Sequence, residues 1–82
     1  MYFGAVVSPY HGIIEGASIV KDSRIYEWEP LFTIKTSDGL TQVIHQGISG
    51  EVVSLEVTKG DTVVPGMVLA FVKEDLFVTG SD

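Results

Sequence analysis

Two stretches decide the fold. GIIEGASIVKDSRIYEWEPLFTIK, Gly12 to Lys35, and GEVVSLEVTKGDTVVPGMVLAFVK, Gly50 to Lys73, lie over each other without a gap at a shift of 38 residues (50 − 12 = 38 and 73 − 35 = 38). Apolar positions coincide: Ile14 with Val52, Ile19 with Val57, Ile25 with Val63, Leu31 with Leu69, Ile34 with Val72. Gly12 meets Gly50, Lys21 meets Lys59 and Lys35 meets Lys73. Two such units are too few for a solenoid, which needs three or more stacked repeats. They suit one small domain, 1–82 with a core over 6–73, whose halves are related by an internal pseudo-two-fold.

Working outward from the repeat, the chain reads as all-β. Short β-branched and aromatic runs alternate with Gly, Asp, Ser and Pro at close spacing, and no stretch keeps helical periodicity for three turns. Strands are expected over Gly4–Val7, Gly12–Ile14, Ala17–Val20, Leu31–Lys35, Leu40–His45, Gly50–Leu55, Glu56–Val57 and Val68–Lys73. Leu76-Phe77-Val78 is expected as an edge strand against Tyr2-Phe3. Lys59-Gly60-Asp61 and Pro65-Gly66 are turn signals. The first half fills the same places with Asp22-Ser23 and Trp28, of which Trp is a poor residue for positive φ. Thr36-Ser37-Asp38-Gly39 reads as a hairpin tip, its Asp-Gly favouring a type I′ turn.

Composition narrows the function classes. Eighty-two residues make one domain with a small core. Hydrophobic residues make up 45%, enough to fold. The chain has no cysteine, which removes disulfides, thiolate zinc sites and cysteine nucleophiles together. Net charge is −6, which disfavours nucleic acid and anionic membrane surfaces as partners. No apolar run approaches the ~20 residues of a membrane helix. The start, Met1 to Val7, lacks a basic segment and does not read as a signal peptide. A cytoplasmic, complete small protein is the expectation, with a piece of something longer as the alternative.

The spacing of motifs resembles the biotinyl/lipoyl attachment domains, the flattened β-barrels (barrel-sandwich hybrids) called hammerheads, of which the biotin carboxyl carrier is one. Ser8-Pro9-Tyr10-His11-Gly12 is similar to the opening Pro-x-x-Gly of that family. Lys59-Gly60-Asp61-Thr62-Val63 and Gly66-Met67-Val68-Leu69 match its second half, and Glu29-Pro30-Leu31-Phe32-Thr33-Ile34 looks like the strand leading to the modified hairpin. The resemblance implies a flattened barrel whose hairpin tip carries biotin or lipoate on a lysine. The tip departs from that pattern. Where carriers read Glu-Ala-Met-Lys-Met or Asp-Lys-Ala, this chain reads Lys35-Thr36-Ser37-Asp38-Gly39. Counted from Ile34 the acceptor position falls on Asp38, and counted back from Gly50 it falls on Gly39. No lysine occurs between Lys35 and Lys59. A carboxylate cannot form the amide that holds the prosthetic group.

Lys35 is the nearest amine. It lies three residues before the tip and has a mate in Lys73, which marks it as a structural position; an acceptor must sit at an exposed tip to reach a ligase. His11 and His45, the only histidines, could seed a metal site with Glu15, Asp38 or Glu51, but show no ligand spacing. No serine lies in a nucleophile elbow. Gly47-Ile48-Ser49-Gly50 lacks the lysine and helix of a phosphate loop. Glu27 and Glu29 flank Trp28 in a turn and read as a solvated face.

The aromatic group Tyr26, Trp28, Tyr10 and Phe32 lies in the half that departs from the family. Trp28 is expected to fold back over the barrel end against Tyr26 and Phe32, with a partner surface as the other reading. These residues describe a non-catalytic biotinyl/lipoyl-like module without catalytic, cofactor or metal sites. Its protein partner would meet a surface including Tyr26, Trp28 and Asp38. The alternatives are a biotin or lipoyl carrier of a carboxylase or acyltransferase complex modified at Lys35, and a fragment of a membrane-fusion adaptor.

Overall fold

The computed structural model describes residues 2–75. Eight strands follow in order: β1 Tyr2–Val7, β2 Gly12–Ala17, β3 Arg24–Ile25, β4 Pro30–Thr36, β5 Thr41–His45, β6 Gly50–Leu55, β7 Thr62–Val63 and β8 Val68–Glu74. They form two four-stranded sheets, β1-β8-β6-β3 and β5-β4-β2-β7, with every pairing antiparallel. The fold is all-β, a flattened sandwich closing towards a barrel. Among the described residues no helix is long and apolar enough to cross a membrane.

The interval of 38 read in the sequence governs the sheets. It carries β1 onto β5, β2 onto β6, β3 onto β7 and β4 onto β8, so the two sheet orders are copies of each other. Registers repeat too: Ile14 faces Ile34 as Val52 faces Val72, and the bulge between Ile14 and Gly16 recurs between Val52 and Ser54. Each sheet has a central pair from one half, flanked by strands from the other. β6 and β8 are flanked by β1 and β3, and β2 and β4 by β5 and β7. Neither half can complete a sheet alone, which ties the repeat to one cooperative fold.

The core obeys the same interval. Among the described residues, fourteen buried hydrophobic side chains fall into seven pairs. Five are those aligned in the sequence; the others are Val6 with Ile44 and Phe32 with Ala70. The residues are almost all Ile, Val and Leu, which suit a pleated, half-buried surface. Alternate positions of β2 and β6 point in and out, so each strand contributes one face. Gly12 and Gly50 are required where β2 and β6 pass close to a neighbour. A Cβ at either would run into the carbonyl oxygen of Lys35 or of Lys73.

Three local expectations change. The stretches Ala17–Val20 and Glu56–Val57 are not strands beyond Ala17. Ser23 Oγ accepts the Val20 amide at 3.1 Å and Asp61 Oδ2 accepts the Thr58 amide at 2.9 Å, again 38 residues apart. Side chains that capture nearby amides turn the chain out of the ladder. The two-residue strands β3 and β7 were not expected, being too short to show a period. The hairpin tip is not type I′, which needs positive φ at two central residues. Only Gly39 has it, at 88°, and Gly39 N donates to Thr36 O at 2.9 Å. With Thr36 N donating to Leu40 O at 2.8 Å, this is a three-residue loop ending in a glycine bulge. Leu76-Phe77-Val78 lies outside the described residues, and Tyr2-Phe3 pairs with Glu74-Lys73 of β8.

Candidate functional site: the central hairpin and the Trp28 turn

The hairpin joining β4 to β5 lies between the two aligned stretches and carries the tip at which the sequence resemblance leads one to expect an acceptor lysine. Ser37, Asp38 and Gly39 form its loop and all are exposed. Thr36 closes it. Its hydroxyl donates to the Asp38 carboxylate, with the Leu40 carbonyl as the alternative acceptor at 3.0 Å. The Thr36 hydroxyl, helped by the Leu40 and Asp38 amides, holds the Asp38 carboxyl below its ordinary pKa. The tip therefore presents a fixed anion.

Lys35 is exposed one residue before this closure, between Thr41 of β5 and Ile13 of β2. It lines an open cleft of about 520 Å³ with His11, Ile13, Ser37, Gly39 and Thr62. The pseudo-symmetric place at the other end is occupied differently. There Arg24, the mate of Thr62, pairs with Asp75, the mate of Ser37. Ser49 Oγ adds a hydrogen bond to the same carboxylate at 3.3 Å. Arg24 holds the Asp75 carboxyl below its ordinary pKa, first through their hydrogen bond, and Asp75 in turn raises that of Arg24.

Trp28 lies at the opposite end of β4. Tyr26 O accepts Glu29 N at 3.1 Å across a turn in which Trp28 has φ of 63°. In the second half Val64 O accepts Met67 N at 3.1 Å and Gly66 has φ of 90°. The Trp28 backbone is pinned on both sides: its N–H donates to Gln46 O at 2.7 Å, and its carbonyl faces His45 Nδ1 at 3.0 Å. Glu29 Oε1 accepts the Tyr26 amide at 2.8 Å.

The ring does not pack where the sequence suggested. Trp28 is 67% exposed and Tyr26 60%, whereas Phe32 is buried in the core. The indole instead lies over Gly47, whose added Cβ would sit 2.7 Å from a ring carbon. The ring sits at an exposed turn with positive φ, beside a glycine that leaves room for it. Tyr26 is covered on one side by the Arg24 guanidinium, 5.9 Å from its ring centre.

The residues read as one partner surface are thus in two places. Tyr26 and Trp28 precede β4 and Asp38 follows it. Seven residues at about 3.3 Å each separate them by roughly 20 Å. Tyr10 belongs to neither place; it is half-buried against the core with its hydroxyl 3.4 Å from Gln42 Oε1. His11 lines the hairpin cleft and His45 supports Trp28, and among the described residues no three metal-ligating side chains gather. The Arg24–Asp75 pair was not anticipated. Its signal was a charge at position 24 where the mate is Thr62, against an acid at 75 where the mate is Ser37.

No family model matches this sequence, and no curated protein is similar to it. A solved structure is: the crystal structure of the urea carboxylase of Kluyveromyces lactis, at TM-score 0.79 and 18% identity, over 89% of this chain. This chain spans 6% of the length of that one. At that identity the likeness shows the fold, so the eight strands built on the 38-residue repeat share the architecture of one small region of a large carboxylase.

Proposed function

We propose that this chain is a non-catalytic biotinyl/lipoyl-like module that carries no prosthetic group and acts by binding a protein partner. The observation that carries the reading is the hairpin tip. The loop at the acceptor place is Ser37-Asp38-Gly39, it holds no amine, and its carboxylate is tied down by Thr36. The likeness to a region of a urea carboxylase supports descent from a carrier-like domain. Biotin or lipoate needs a lysine amine to form its amide, and an ionised carboxylate repels a second acid. A role in binding is supported by the exposed Tyr26 and Trp28, residue types favoured as interface anchors.

The test is incubation with a biotin ligase and, separately, a lipoate ligase, followed by intact-mass measurement. No adduct is expected on the wild-type chain. Asp38→Lys or Gly39→Lys is expected to gain a partial adduct, because the tip is exposed. An adduct at Lys35 of the wild type would overturn the reading in favour of a carrier modified away from the tip.

A further inference from the structure

Trp28 combines three features that fold stability does not call for. The turn needs a left-handed backbone, a conformation that any residue with a side chain resists, and a tryptophan stands there. Its mate Gly66 shows that the turn needs no side chain. Its ring is 67% exposed and so recovers little from burial. Residues kept in sparsely populated conformations cluster at sites where that conformation is used.

The same contacts preorganise the ring. Gln46 O and His45 Nδ1 fix the backbone on either side, and Gly47 lies against the six-membered ring of the indole. The rest of the side chain is largely open to solvent. An indole face is the best aromatic surface for a cation. The surroundings are acidic. Glu27 is exposed next to Trp28, and Glu29 is fixed on the Tyr26 amide. Arg24 is already taken up by Asp75. The chain as a whole carries −6.

We infer that the Trp28 turn is a docking site for a basic segment of a partner protein. A lysine or arginine of that segment lies on the exposed indole of Trp28, and Glu27 supplies the counter-charge. This deepens the interaction-module reading and rests on it.

A labelled arginine–glycine peptide tests it by fluorescence anisotropy against the full chain, with a glutamate–glycine peptide of the same length as control. The chain has one tryptophan, so its emission reports the same site directly. Expected are saturable binding of the arginine peptide with a change in Trp28 emission, and none of the glutamate peptide. Trp28→Gly restores the residue type its mate already carries, so the variant folds. It should weaken binding about three- to thirtyfold. Glu27→Gln should weaken it less, and the loss should shrink as salt rises. Equal binding by wild type and Trp28→Gly would overturn the proposal, leaving only diffuse attraction to an acidic protein. Absence of binding would overturn it too. Either failure with an unmodified chain leaves the non-carrier reading standing, whereas a ligase adduct at Lys35 removes the reading beneath it.

Discussion

Trp28 and Gly66, 38 residues apart, occupy the same turn of the repeat with φ of 63° and 90°. One half meets the requirement with the residue made for it and the other with the bulkiest side chain available. Trp28→Gly should therefore be neutral or stabilising by up to about 1 kcal/mol, since it relieves left-handed strain and exposes little. Trp28→Ala keeps the strain and loses only the contact on Gly47, at a cost under about 0.5 kcal/mol. Chemical denaturation of both variants checks this. A loss of several kcal/mol in Trp28→Ala would mean the ring is part of the core.

Leu31 and Leu69 are buried mates on β4 and β8. Each truncated to alanine should cost about 2–5 kcal/mol, and the two costs should be similar. Asp38→Ala, at the exposed tip, should cost far less. Urea unfolding monitored by circular dichroism reads all three. Equal loss at Asp38 and Leu69 would contradict the placement of the tip.

Glycines provide a sharper contrast. Gly12→Ala and Gly50→Ala would each push a methyl group into a backbone carbonyl that cannot swing away, at a cost of about 1–3 kcal/mol or more. Gly16→Ala meets nothing within 4 Å and should be nearly neutral. A tolerant Gly12 alongside a sensitive Gly16 would reverse the expected order.

Acid should loosen the clasp at residue 75. The Asp75 carboxyl lies below its ordinary value of 3.8 because Arg24 donates to it. A carboxyl depressed in the folded state adds stability above its unfolded pKa and loses it as pH falls through the folded one. Arg24→Ala and Asp75→Asn should differ from wild type at pH 6 and converge on it as pH falls below about 3.8. Melting temperatures across pH 2–6 measure this. A difference that grows towards low pH would contradict it.

Most of the architecture was legible because the repeat doubled every signal. A buried valine at 52 is weak evidence alone, but with isoleucine at 14 it marks a shared core position. Val6 with Ile44 escaped because the aligned stretches stop short of them, and Phe32 with Ala70 because the sizes differ. β3 and β7 were invisible, since two residues have no period. The hairpin type does not follow from the sequence, because Asp38-Gly39 fits more than one turn. The register between Thr36 and Leu40 decides among them, and that is set by the pairing of β4 with β5. The size of Trp28 suggests burial, whereas its exposure goes with a turn that the pairing of its amide with Gln46 helps fix.

The most direct measurement is the intact mass of the chain recovered from the cells that make it, with fragment mapping across Lys35 to Gly39. The expected result is the mass of the bare polypeptide, with Lys35 unmodified and nothing attached at Asp38. A biotinyl or lipoyl adduct on Lys35 would contradict the non-carrier module and make this chain a carrier that holds its prosthetic group beside the tip.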